Sequence, residues 1–236
     1  MPLFGMFIDP LYLAVVAPGF LLAAWASFKV KSTFARYREV ESFRRMTGAQ
    51  TAREILRRNN LNDVQVLEAD GMLSDHYDPR TRTVRLSPEV YRVPSIASVA
   101  VAAHEVGHAL QHAQAYGPMV LRSMAVPVAQ LGSFAPWIIM IGGFLLHMTA
   151  LVYVGVILFT AVVLFQIITL PVELNASTRA REQLESMAMV SNSEMAGVRK
   201  VLSAAAMTYV AGALTAILTL LYYLIRLGII GGSRRD

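Results

Sequence analysis

From Ala125 to Val172 the chain carries no Asp, Glu, Lys or Arg, and that run limits what the rest can fold into. One bilayer crossing takes about 20 apolar residues, so a run of this length predicts two membrane helices. The polar break at His147 to Thr149 is the expected tight turn between them. Phe7 to Phe28 and Ala205 to Ile230 are apolar enough to cross as well. About four transmembrane helices account for 55% hydrophobic residues and a mean hydropathy of +0.48, more than a soluble fold of 236 residues carries.

Charge sets the orientation. Of the 21 Lys and Arg residues, all but Arg226, Arg234 and Arg235 fall in two segments, Lys29 to Arg122 and Arg179 to Lys200. The positive-inside rule places both segments on the cytoplasmic face, with the N-terminus outside and, by parity, the C-terminus outside too. Arg226, Arg234 and Arg235 pull against that last step, which leaves a re-entrant or partly buried final segment as an alternative. For the first segment the alternative is a cleaved signal peptide, since Ala24-Trp25-Ala26 has the small-x-small form. Asp9 before the apolar run and Lys29 and Lys31 after it give the charge order of a retained anchor instead. A pI of about 9.7 fits a face beside anionic lipid, and no nucleic-acid motif accompanies it. The chain has no Cys, which suits a domain facing the cytoplasm.

Thr47-Gly48-Ala49-Gln50 reads as a capping box, and Ala52, Ile55 and Leu56 supply one apolar face, so a helix is expected from Thr47 to Asn59. Val64 to Leu67 and Thr83 to Leu86 have the β-branched character of short strands, with Asp78-Pro79-Arg80-Thr81 as a turn between them. This small sheet should pack against a Pro-free helix capped by Ser95 and running to Ala113. An exposed sheet edge holds an extended peptide by main-chain hydrogen bonds, and Thr81 to Ser87 is the expected edge; an ordinary structural strand is the alternative.

That last helix contains His104-Glu105-Val106-Gly107-His108. Two imidazoles at i and i+4 lie one turn apart on one face, about 5–6 Å apart at Cβ, and can share a tetrahedral ion. Glu105 is offset by roughly 100° and reaches a metal-bound water from the side, as the general base of a metallopeptidase. Two histidines leave a zinc site incomplete. His112 lies about 12 Å along the axis from His104, too far to share the ion, and reads as a residue behind the ligands or at the surface. Glu173, in Leu170-Pro171-Val172-Glu173-Leu174-Asn175-Ala176-Ser177, is the expected third ligand, because a carboxylate at the end of an apolar segment needs a partner. The alternative is an acid at the start of a helix that Pro171 opens. Glu182 and Glu185 read as solvated face.

His-Glu-x-x-His, a pair of spans and then Glu-x-x-Ala resemble the gluzincin arrangement of HtpX-type membrane peptidases and CAAX prenyl proteases. Phe28-Lys29-Val30-Lys31-Ser32-Thr33-Phe34, Asp75-His76-Tyr77-Asp78-Pro79-Arg80-Thr81, the segment around His104 and that around Glu173 more closely resemble the YugP-like neutral zinc metallopeptidases of bacterial membranes. That resemblance covers nearly the whole chain. It implies one zinc per chain at His104, His108 and Glu173, with Glu105 catalytic, in the bacterial cytoplasmic membrane. Where the HtpX-type pattern has an Asp four residues after the ligand Glu, this chain has Ser177. A hydroxyl can still accept from the far nitrogen of an imidazole, though without charge, and Asn175, Asp75 or Asp78 could assist. His76, Tyr77, Arg179 and Tyr209 are the open choices for a donor at the developing oxyanion.

The expected architecture is a mainly α integral membrane protein with a small cytoplasmic α+β zincin-like domain. Its parts are an anchor over residues 1–28, the zincin-like region over 29–124 and two transmembrane helices over 125–171. A cytoplasmic helix with the third ligand over 172–204 and a final helix and tail over 205–236 complete it. The leading function is a membrane-embedded zinc endopeptidase at the cytoplasmic surface, with membrane lipid and a peptide or membrane-protein segment as partners; a protein partner or second copy stays open. One alternative is a catalytically silent scaffold or chaperone-like partner whose zinc site is closed by a fourth ligand such as His76 or Asp78. An intramembrane protease is the other, disfavoured by the polar residues on both sides of the motif.

Overall fold

The structure, a computed structural model, describes residues 9–132 and 134–230. Its helices are α1 (Pro10–Arg38), α2 (Gly48–Arg58), α3 (Pro88–Arg92), α4 (Ile96–Ala113), α5 (Gly117–Gly132), α6 (Ala135–Leu145), α7 (Thr149–Ser186) and α8 (Asn192–Arg226). A three-stranded sheet of β1 (Gln65–Glu68), β2 (His76–Asp78) and β3 (Thr83–Leu86) completes the described part. The chain divides into two compact units, one formed by the described parts of Met1–Trp25, Leu121–Leu170 and Tyr209–Asp236, the other by Ala26–Val120 and Pro171–Thr208.

The second unit holds the sheet and the His-Glu-x-x-His helix. Thr47 caps α2 as expected: its hydroxyl accepts from the Gln50 main-chain N–H while the Gln50 side chain accepts from the Thr47 N–H. Ala49, Ala52, Ile55 and Leu56 then turn one buried face inward. Ser95 caps α4 in the same way, its hydroxyl accepting from the Ser98 N–H at 3.1 Å. Nearly every residue of α4 is buried, so it forms the axis of a core that includes Ile55, Val84, Val99, Val106, Val172 and Leu184.

The sheet departs from expectation in its order. The two anticipated strands are present, but they pair in parallel, Gln65 with Thr83 through Glu68 with Leu86. A third strand, β2, forms within the segment read as the approach to a turn and pairs antiparallel with β3, Tyr77 opposite Val84. The turn itself forms, with the Asp78 carboxylate accepting from the Arg80 N–H and the Thr81 hydroxyl, each at 2.9 Å. Since the order is β1-β3-β2, the Thr81 to Ser87 segment carries the central strand, and β2 is the free edge on that side.

Helices α1, α7 and α8, each shared between the two units, are long and apolar enough to cross a membrane. The expected turn lies between α6 and α7: His147 adopts φ 54°, and the Met148 N–H donates to the Gly143 carbonyl at 2.8 Å. The stretch before it, read as a single span, is divided into α5 of 16 and α6 of 11 residues. Pro136, in the first turn of α6, has no N–H to continue an incoming helix, and its ring opposes the carbonyl four residues back. Pro171 behaves oppositely. It lies inside α7, which runs 38 residues without opening a new helix there. At the start of α1 the Asp9 carboxylate accepts from the Leu11 N–H at 3.0 Å and the Tyr222 hydroxyl at 2.9 Å, and Arg226 Nε lies 3.4 Å away.

Replacing Thr47 with Ala removes the cap and should cost about 1 kcal/mol. Chemical unfolding followed by circular dichroism should show that loss, while Thr47→Ser stays close to wild type.

Candidate metal centre

Helix α4 presents His104 and His108 one turn apart, and α7 brings Glu173 against both. Glu173 Oε2 lies 3.2 Å from His104 Nε2 and 3.5 Å from His108 Nε2. One donor atom from each of the three residues falls within 4.8 Å of the others. Ligands bound tetrahedrally at about 2.0–2.1 Å stand roughly 3.3 Å apart, so the observed spacings fit one zinc ion, and two imidazoles with a carboxylate match its usual donors. Glu173 is 2% exposed and His108 8%, whereas His104 at 13% lies at the opening to solvent. Among the described residues this group contains three side chains, which leaves one tetrahedral position outside the protein's own ligands.

The close approach of two backbones makes those distances possible. A Cβ built on Gly107 would lie 2.6 Å from the carbonyl oxygen of Ala176, so only glycine fits between the motif helix and α7. The ligand-side residues flank this contact at matching places: His104 and His108 stand three before and one after Gly107, Glu173 and Ser177 three before and one after Ala176. A helix repeats every 3.6 residues, so each set faces the other helix across the contact.

Behind these donor side chains the partners are neutral. Ser177 Oγ lies 3.2 Å from His104 Nδ1, within hydrogen-bonding distance. His108 Nδ1 meets Gln111 Oε1 at 3.0 Å, an interaction not anticipated. Its signal was present, since Gln111 follows His108 by three residues on the same face and is the polar exception in a buried stretch. Gln111 Nε2 donates to the Val172 carbonyl at 2.8 Å and to Asn175 Oδ1 at 2.9 Å, and Arg179 Nε donates to the same Asn175 oxygen at 2.6 Å.

Glu105 is buried, 8% exposed, on the side of α4 that faces β2. Burial pushes its carboxyl up to about 7, the nearby carboxylates of Glu173 and Asp75 add to this, and His104 and a hydrogen bond from the Tyr77 main-chain N–H oppose it. That hydrogen bond places the free sheet edge beside Glu105. A carboxylate poised near neutrality is suited to take a proton and return it.

Other side chains singled out in the sequence have different partners. Asp75 accepts from the Ser87 N–H at 2.8 Å and its hydroxyl at 3.0 Å, and burial raises its carboxyl above the usual range. Asp78 is held in its turn and His76 Nδ1 donates to the Ser74 carbonyl at 2.7 Å. Tyr77 turns its hydroxyl to His112 Nδ1, 2.8 Å away, so His112 sits behind the edge strand and outside the ligand group. Arg179 gives Nη1 to Gln114 at 2.6 Å and stacks over Tyr116. Tyr209 belongs to the other unit.

Comparison with known proteins agrees with this chemistry. Residues 12–228 match the family described as "Putative neutral zinc metallopeptidase". The chain is 50% identical over 213 residues to the protein named "Putative membrane protease YugP" of Bacillus subtilis (strain 168), an alignment covering 90% of this chain and 94% of that one. No solved structure matches it.

Substituting Gly107 with Ala forces the helices apart at the contact. An overpacked core of this kind costs about 1–3 kcal/mol, so the variant should unfold at lower denaturant and hold less metal than wild type. Unchanged metal content in elemental analysis would remove the close approach as a constraint on the site.

Proposed function

The chain belongs to the family described as "Putative neutral zinc metallopeptidase", and from that premise we propose that it is a membrane-embedded zinc endopeptidase of the gluzincin type. His104, His108 and Glu173 would hold one zinc ion, and Glu105 is the general base. When bound, zinc polarises the scissile carbonyl and lowers the pKa of the attacking water. Glu105 takes the proton from that water onto its carboxylate and delivers it to the departing amine. An extended substrate would lie along the outer edge of β2, beside the Tyr77 N–H that Glu105 already holds, a binding mode that selects an unfolded peptide segment over a folded surface. The observation that carries this reading is a buried Glu105 lying between the three-donor group and that free edge.

A closed structural zinc site, required by the scaffold alternative, needs a fourth protein ligand. His76 and Asp78, the residues suggested for it, spend their hydrogen bonds on Ser74 and on the Asp78 turn. This favours the catalytic reading.

We place the protein in the bacterial cytoplasmic membrane with four crossings and the site at the cytoplasmic face. Segregation of Lys and Arg supports the orientation, and the apolar helices support membrane insertion. The Asp9–Arg226 pair supports the number. It joins the start of α1 to the end of α8, and two chain positions on one side are separated by an even number of crossings. Three long helices give an odd number, so α5 and α6 together supply the fourth. The same pair also compensates Arg226, one of the three residues at odds with the positive-inside rule.

Elemental analysis of the detergent-purified chain should find about one zinc in wild type and in Glu105→Gln, and at least a tenfold weaker hold in Glu173→Ala. Glu105→Gln should also abolish peptide hydrolysis. Zinc bound as tightly by Glu173→Ala would exclude this ligand set, and full activity in Glu105→Gln would exclude the proposed base.

A further inference from the structure

Gln111 has no exposed surface, yet its side-chain amide makes three hydrogen bonds, to His108, Val172 and Asn175. We propose that Gln111 is a positioning residue of the metal site, setting which nitrogen of His108 is free to bind metal and tying that histidine to the helical turn that presents Glu173. The assignment rests on the zinc reading given above and adds to it a residue outside the ligand set.

The direction of each hydrogen bond follows from two groups whose roles are fixed. The Val172 carbonyl can only accept, so the amide nitrogen of Gln111 must face it and the amide oxygen must face His108. His108 Nδ1, 3.0 Å from that oxygen, must then carry the hydrogen. Its Nε2 is left with the lone pair, on the side of Glu173. At the far end the Arg179 guanidinium can only donate, so the Asn175 oxygen faces it and also receives the second hydrogen of the Gln111 amide. No rotation of either amide preserves these contacts.

Val172 and Asn175 flank Glu173 in the chain by one and two residues. The two bonds donated by Gln111 therefore fix the backbone and side chain of the very turn that carries the third ligand. One residue thus couples His108, on its own helix, to Glu173 on the other. Outer partners of this kind typically change metal affinity by about 10–100-fold when removed.

The test uses the full chain in detergent, with zinc affinity measured by chelator competition and the metal-free form followed by thermal melting. Gln111→Met keeps the length and removes all three hydrogen bonds; zinc should bind about 10- to 100-fold more weakly. Gln111→Glu keeps an oxygen towards His108 and loses both donated bonds. It should hold zinc within a few-fold of wild type while its metal-free form melts at lower temperature. A role in helix packing alone would lower both melting temperatures and leave the zinc affinity of the folded variants unmoved, and that result overturns the assignment. So does a Gln111→Glu variant that loses as much affinity as Gln111→Met. Should Gln111→Met fail to fold, Gln111→Ala, which also removes all three hydrogen bonds, takes its place: zinc held about 10- to 100-fold more weakly than by Gln111→Glu supports the assignment, and equal affinity in the two overturns it. A wild type that binds no zinc overturns the site reading and this assignment together, whereas a zinc-binding wild type matched by Gln111→Met overturns only the latter.

Discussion

Backbone contact at Gly107 and Ala176 governs the distances in this site. Packed helices usually keep their axes 8–10 Å apart, and donor atoms about 3.3 Å apart on two helices demand the near end of that range when one donor is a glutamate and the others are histidines. The absent side chain at Gly107 and the small one at Ala176, itself fully buried, allow it. Everything the site needs sits within one helical turn of that contact. A motif usually read as two ligands and a base is here also a packing motif, its fourth residue as constrained as its first and last.

Burying so many polar atoms around the contact is costly unless each finds a partner. The hydrogen bonds of Gln111, Asn175 and Arg179 meet that demand in a continuous chain from the surface to His108. Ser177 does the same for His104. The result is a hydrogen-bonded surround for the imidazoles, built from two amides, a hydroxyl and a main-chain carbonyl with one guanidinium at its outer end.

Much of this was legible in the sequence. Thr47 and Ser95 announced their helices because a cap is a local signal, and Glu173 stood out because a carboxylate beside an apolar run needs a physical reason. The two anticipated strands were visible through β-branched residues. Strand β2 was not, since three residues show no periodicity and Asp78-Pro79 dominates as a turn signal. Missing it shifted the expected free edge to β3. Prolines were hard to read in both directions: Pro136 divides a stretch whose hydropathy is continuous, and Pro171 sits inside a helix that the alternative reading had it open. The role of Gln111 depends on Val172 and Asn175, distant in sequence, and only its polarity among buried neighbours hinted at it.

The uncharged surround has an electrical consequence. On the zinc reading proposed above, a dication held by two neutral histidines and one carboxylate would leave a single positive charge on the inner set, which neither Ser177 nor Gln111 offsets. Sites whose histidines rest on carboxylates approach electroneutrality through those partners; here the remaining charge would fall to Glu105 or to a monoanion in the fourth position. Inhibitor chemistry for such a centre should therefore begin with singly charged zinc-binding groups, because a dianion would leave an uncompensated negative charge in a pocket that already contains Glu105 and lies close to Asp75.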